Sequence, residues 1–172
     1  MQPAPRNPRQ PRDAAGDYRE KTAYETSRLS KRMREDGHPA PLGDPTSGVV
    51  LVLEQPAGPR ALQALTSSLQ AVRLPQAYVI YTSTGLLAQQ IQATAPQALV
   101  AIGADAAGDI DAIDYPLIRQ PFSDARPGIW FPWTKGTAGL LLPAITPALD
   151  DDAAKRRFWQ AFLALKDLGY SP

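Results

Sequence analysis

A chain of 172 residues, 44% of them apolar, can bury one substantial core but not two ordinary ones. The absence of cysteine excludes disulfides and thiolate-held zinc or iron–sulfur clusters. A formal charge of +1, split as nine Lys or Arg against seven Asp or Glu in residues 1–46 and nine against ten in residues 47–172, gives the folded part no basic excess for charge-driven nucleic-acid binding.

Residues 1–46 read as a flexible Pro/Arg-rich tail. Residues 1–12 space prolines too closely for a helix and carry too little apolar surface to fold. They also lack the apolar stretch of a secretory leader, and no run in the chain approaches the roughly 20 apolar residues of a membrane span. A cytoplasmic protein with no membrane partner is therefore expected. Within the tail, residues 18–34 are free of proline and could form a short helix ended by Gly37 and Pro39. This segment is either a solvated extension or a recognition element presenting Tyr24, Leu29 and Met33 to a protein partner.

The α/β domain spans residues 47–172. Val49–Leu53 is a continuous apolar run of strand length, as in a strand buried on both faces of a parallel sheet. After the loop Glu54-Gln55-Pro56-Ala57-Gly58, Pro59 suits the first turn of a helix whose Leu62, Leu65, Leu69 and Val72 share one face. Residues 77–81 form a second strand, Thr82-Ser83-Thr84 caps a second helix, and Ala98–Ile102 is a third strand closed by Gly103. Crossovers of this size imply parallel neighbours. The predicted architecture is a three-layer α/β/α sandwich around a mostly parallel sheet of four to five strands.

Further on, Ala106-Ala107 opens a short helix that Asp105, Asp109, Asp111 and Asp114 interrupt. That acidic stretch lacks the glycine and the terminal glutamate of a calcium loop and reads as a solvated loop. Residues 115–119 and 128–133 read as edge strands or loop anchors, with Trp130, Phe131 and Trp133 packed inward. A last strand, Ala138–Leu142, feeds a helix from about residue 152 to 168, where Asp150, Asp151 and Asp152 suit the positive end.

Glu54, Gly58 and Arg60 follow the carboxyl end of the first strand, the usual ligand edge of an open α/β sheet. Glu54 could orient a water and Arg60 could meet a phosphate, but the glycine spacing of a P-loop or dinucleotide fingerprint is absent, and a plain strand-to-helix turn accounts for the segment equally. Lys155-Arg156-Arg157 reads as an exposed basic face. The sole histidine, His38, lies outside the domain, so neither Ser83 nor Ser123 has a triad partner. No metal and no cofactor is expected.

The strand followed by Glu54-Gln55-Pro56-Ala57-Gly58-Pro59-Arg60, the run from Ala95 through Val100-Ala101-Ile102-Gly103 to Ala106, and Leu142-Pro143-Ala144 followed by Lys155-Arg156-Arg157-Phe158-Trp159 resemble the uracil-DNA glycosylase superfamily over roughly residues 48–168. The resemblance implies that fold and a site at Glu54, Gln55, Gly58, Leu142, Pro143 and Ala144. Where many relatives place a His-Pro-Ser-like turn, this chain has Leu142-Pro143-Ala144, and its single asparagine is Asn7. The implied site is degenerate, with Glu54 the one candidate catalytic residue. A closer likeness is to the non-catalytic psi subunits of bacterial DNA polymerase III, through the small size and the spacing from Pro143-Ala144-Ile145 to Trp159-Gln160. That likeness implies a protein-binding accessory subunit whose partner is a clamp loader or a single-strand-binding assembly, with DNA a weaker candidate. The alternative is a divergent uracil-DNA glycosylase of base excision repair.

Overall fold

In the computed structural model, which describes residues 14–169, five strands form one sheet. They are β1 (Val49–Leu53), β2 (Tyr78–Tyr81), β3 (Ala98–Ile102), β4 (Phe131–Pro132) and β5 (Ala138–Leu142), in the order β2-β1-β3-β5-β4. The first four in that order run parallel, and β4 pairs antiparallel with β5 at the edge. The predicted three-layer α/β/α sandwich is therefore the observed one.

Side chains alternate across the sheet with the strand period of two. Val49, Leu51, Leu53, Val100 and Leu140 face α2 (Pro59–Ala71), α5 (Ile145–Ala148) and α6 (Asp152–Phe162). Val50, Val52, Leu99 and Ala101 face α3 (Leu87–Thr94) and α4 (Ala104–Ala112), with Phe122, Phe131 and Trp133 completing that core. This two-sided burial explains why β1 and β3 are apolar at every position. The edge is closed by chemistry as well as by length: β4 has two residues, and Pro132 offers no N–H to a further strand. Gly139 admits β4, because a Cβ there would lie 2.7 Å from Phe131 Cε2.

Three expectations are corrected. The segment assigned to a tail contains α1, Ala14–Glu35, a helix of 22 residues lying on α3. Its inner face is Thr22, Thr26 and Met33, all buried, whereas Tyr24 is 65% exposed. At about 100° per residue, Tyr24 and Met33 lie roughly 180° apart around the helix and cannot belong to one displayed stripe. Burial suits Thr26 because its Oγ1 donates 2.7 Å to the Thr22 carbonyl and needs no water. The connection from α1 is also placed, since Leu42 exchanges backbone hydrogen bonds of 3.0 and 2.8 Å with Val79 along the outer edge of β2. The part of the tail at residues 1–13 lies outside the described residues.

The acidic stretch is the second correction, for α4 runs unbroken through Asp105, Asp109 and Asp111. Ala106, Ala107 and Ile110 pack beneath it, and Asp111 accepts from the N–H groups of Phe122 and Ser123 at 2.8 and 2.9 Å. Third, the final helix is divided into α6, a 3-10 turn at Leu163–Leu165 and α7 (Lys166–Gly169). Of the two readings of residues 115–119, edge strand or loop anchor, the second matches the structure: they form no strand, and Tyr115 lies against Trp133 at 4.8 Å between ring centroids. Trp130, Phe131 and Trp133 do point inward, the first donating 3.1 Å from Nε1 to the Ala164 carbonyl.

Candidate functional site

Strands β1 and β3 are neighbours, but the helices that follow them, α2 and α4, pack on opposite faces of the sheet. The chain therefore parts above their carboxyl ends and leaves a crevice, where open α/β sheets bind ligands. The crevice has a volume of about 380 Å³. The β1–α2 loop supplies Glu54, Gln55 and Gly58, the β3–α4 turn supplies Gly103 and Asp105, and the β5–α5 turn supplies Ala144, Ile145 and Thr146.

Local geometry holds the three turns together. Gly103 has φ +93, a left-handed conformation that favours glycine, and its N–H donates 2.9 Å to the Leu142 carbonyl. A Cβ on Gly103 would stand 3.5 Å from the Ala144 Cβ, so the second and third turns nearly touch. On the other side, Ser83 N–H donates to the Glu54 carbonyl at 3.0 Å, and Thr82 Oγ1, 3.1 Å from that carbonyl, donates to Asp109 Oδ2 at 2.6 Å.

Of the six positions implied by resemblance, Glu54, Gln55, Gly58 and Ala144 line the crevice. Leu142 does not; it is 1% exposed and belongs to the core. Pro143 is half-buried outside the lining. Arg60 points away, its guanidinium 3.3 Å from Asp150 Oδ1 and from the Leu149 carbonyl, so it meets no ligand in the crevice. Sequence reasoning placed Asp105 in a solvated acidic loop and did not single out Thr146, yet both line the crevice. Asp105 sits two residues past the glycine that closes an apolar strand, a position that becomes informative once β3 is known to adjoin β1.

The electrostatics of the crevice are set by Glu54 and Asp105. The neighbouring Asp105 carboxylate raises the pKa of Glu54, helped by desolvation, by a hydrogen bond between the two carboxyls and by the charge of Asp109. Among the lining residues the charged side chains are these two acids, so the crevice favours a neutral or cationic group and repels a phosphate. Glu54 can hold a proton there above the usual glutamate range. Among the described residues, no group of three or more His, Cys, Asp or Glu is placed to hold a metal ion.

The raised pKa has a stability consequence. Because folded Glu54 binds its proton more tightly than the unfolded chain does, its contribution is complete below the ordinary glutamate value of about 4.3 and is lost as pH rises through the folded pKa. Glu54→Gln removes that loss. Urea denaturation at low salt is expected to show the variant slightly more stable than the parent at pH 7 and no more stable at pH 4. Equal differences at both pH values would mean that the two carboxyls do not interact.

Among the described residues, no helix is long and apolar enough to cross a membrane. Comparison with protein-family models and with curated proteins finds no match to this chain.

Proposed function

We propose that the chain is a non-catalytic domain of the uracil-DNA glycosylase type that works as a protein-binding module in the cytoplasm, as a psi-like accessory subunit of a bacterial clamp loader. The lining of the crevice carries this reading. A flipped uracil is held by polar contacts to its edge and an aromatic ring on its face, which recover the energy of unstacking. Here the polar side chains of the crevice are Glu54, Gln55, Asp105 and Thr146, its other lining residues are small or aliphatic with no aromatic ring among them, and its two carboxylates oppose the phosphates that would accompany the base. A wider groove, about 720 Å³, lies elsewhere, between α1 and α3. Its outer wall is the helix that the resemblance to psi subunits makes the partner-binding element, with Tyr24 and Leu29 on accessible faces and Met33 as its internal anchor.

One observation favours a second reading, a divergent uracil-DNA glycosylase. The crevice is open beside Glu54, and a carboxyl with a raised pKa is suited to orienting a water. Incubation of the full chain with a uracil-containing single strand separates the two. The binding-module reading expects no free uracil; release by the parent chain that disappears in Glu54→Gln would establish the enzyme instead.

A further inference from the structure

The groove between α1 and α3 carries a charge pattern that the fold does not use. Lys21, Arg28, Lys31 and Arg32 line it, against two carboxylates, Glu25 and Glu35. Lys21 is engaged, with Nζ 3.9 Å from Glu25 Oε1. Arg28, Lys31 and Arg32 are exposed and have no ion-pair partner among the described residues. They are spread over one and a bit turns, so their charges rise about 6 Å along one side of the helix. Arg28 also lies 5.9 Å over the ring of the exposed Tyr24. The floor is partly apolar, formed by Leu29 and Ala93, and the opposite wall bears the amides of Gln89 and Gln92.

We propose that this groove receives an acidic segment of a protein partner, with carboxylates meeting Arg28, Lys31 and Arg32 and an aliphatic side chain on Leu29 and Ala93. The inference deepens the binding-module reading and rests on it. Charge complementarity selects an anionic occupant. The glutamates select between kinds of anion: Glu25 and Glu35 would face a uniformly charged phosphate chain, whereas a peptide can set a neutral or basic side chain opposite each. Gln89 and Gln92 have the donors and acceptors to pair with a peptide backbone.

The test uses the full chain and a fluorescein-labelled peptide of alternating Glu and Leu, read by fluorescence anisotropy at low and high salt. Binding is expected at low salt, weakening as salt rises. The double variant Arg28→Glu, Lys31→Glu is expected to bind at least about tenfold more weakly, since it sets like charges against the peptide. Lys155→Glu with Arg156→Glu, on exposed positions of α6, is expected to leave affinity unchanged. Circular dichroism checks that both variants remain folded, and Arg28→Gln gives a milder version. The proposal is overturned if the peptide does not bind at low salt, if an oligothymidylate binds more tightly than the peptide, or if reversal on α6 weakens binding as much as reversal on α1. Should the peptide fail while the chain still associates with a clamp loader, the groove assignment falls and the binding-module reading stands. Failure of both removes both.

Discussion

Trp133→Ala is expected to be among the most destabilising single substitutions in the chain, costing about 3–5 kcal/mol and lowering the melting temperature by roughly 10 °C. The indole is fully buried, 4.8 Å from the ring of Tyr115 and 6.2 Å from that of Phe122 between centroids. Phe122 in turn meets Phe131 edge-on at 4.9 Å. Removing the indole leaves a cavity beneath β4 that short, proline-bounded segments cannot close. Trp133→Phe should cost only a fraction as much. It keeps most of the apolar contact and removes an indole N–H that has no acceptor among the described residues, the kind of buried donor whose desolvation is uncompensated. Thermal melts of the two variants check this. A phenylalanine variant as unstable as the alanine one would show that the indole N–H is satisfied and that the aromatic cluster depends on it.

Met33→Asp is expected to release α1 from the body without unfolding the sheet. Met33 is fully buried, and its Sδ accepts from Gln90 Nε2 at 3.7 Å. Much else at the interface is polar: Thr22 and Thr26 face inward, and Tyr18 Oη donates to the Thr94 carbonyl. Burial pushes the Tyr78 hydroxyl up to about 12, although hydrogen bonds with Gln90 and Ser30 draw it partly back. With one large apolar anchor, docking of α1 is weaker than cohesion of the five-stranded core. Even a neutral truncation of a buried methionine costs about 2–5 kcal/mol, and an unpaired carboxylate costs more. Detachment of the helix is thus easier than burial of the charge. Hydrogen exchange should show protection lost across residues 14–35 and retained in β1 and β3, while Met33→Leu, which conserves volume, should change little. Loss of protection throughout the sheet would mean that α1 is part of the same cooperative unit.

The central strands were legible because a strand buried on both faces must be apolar at each position, and β1, β3 and β5 coincide with the apolar runs that marked them. Their order in space was not legible, since nothing local specifies that β5 adjoins β3 and that β2 takes the far edge. Helix α1 was legible over residues 18–34, but its docked face was not, because its buried stripe is built on threonine, whose methyl group packs while its hydroxyl bonds back to the helix. Helix α4 was misread because its aspartates look like breakers, whereas they lie outward and one of them, Asp111, ties down the turn at Phe122. The crevice was partly legible: Glu54, Gln55 and Gly58 follow from the rule that ligands meet the carboxyl ends of parallel strands. Asp105 joins them only because two strands separated in the chain by α2, β2 and α3 are neighbours, and the upward pKa shift that it imposes on Glu54 follows from that adjacency.

Sedimentation of the full chain with a reconstituted bacterial clamp loader tests the binding-module proposal most directly. Co-sedimentation at a defined stoichiometry, abolished when Met33→Asp frees the α1 helix, is the predicted result. Independent sedimentation of the folded chain, with the clamp loader and equally with a single-strand-binding assembly, would contradict it.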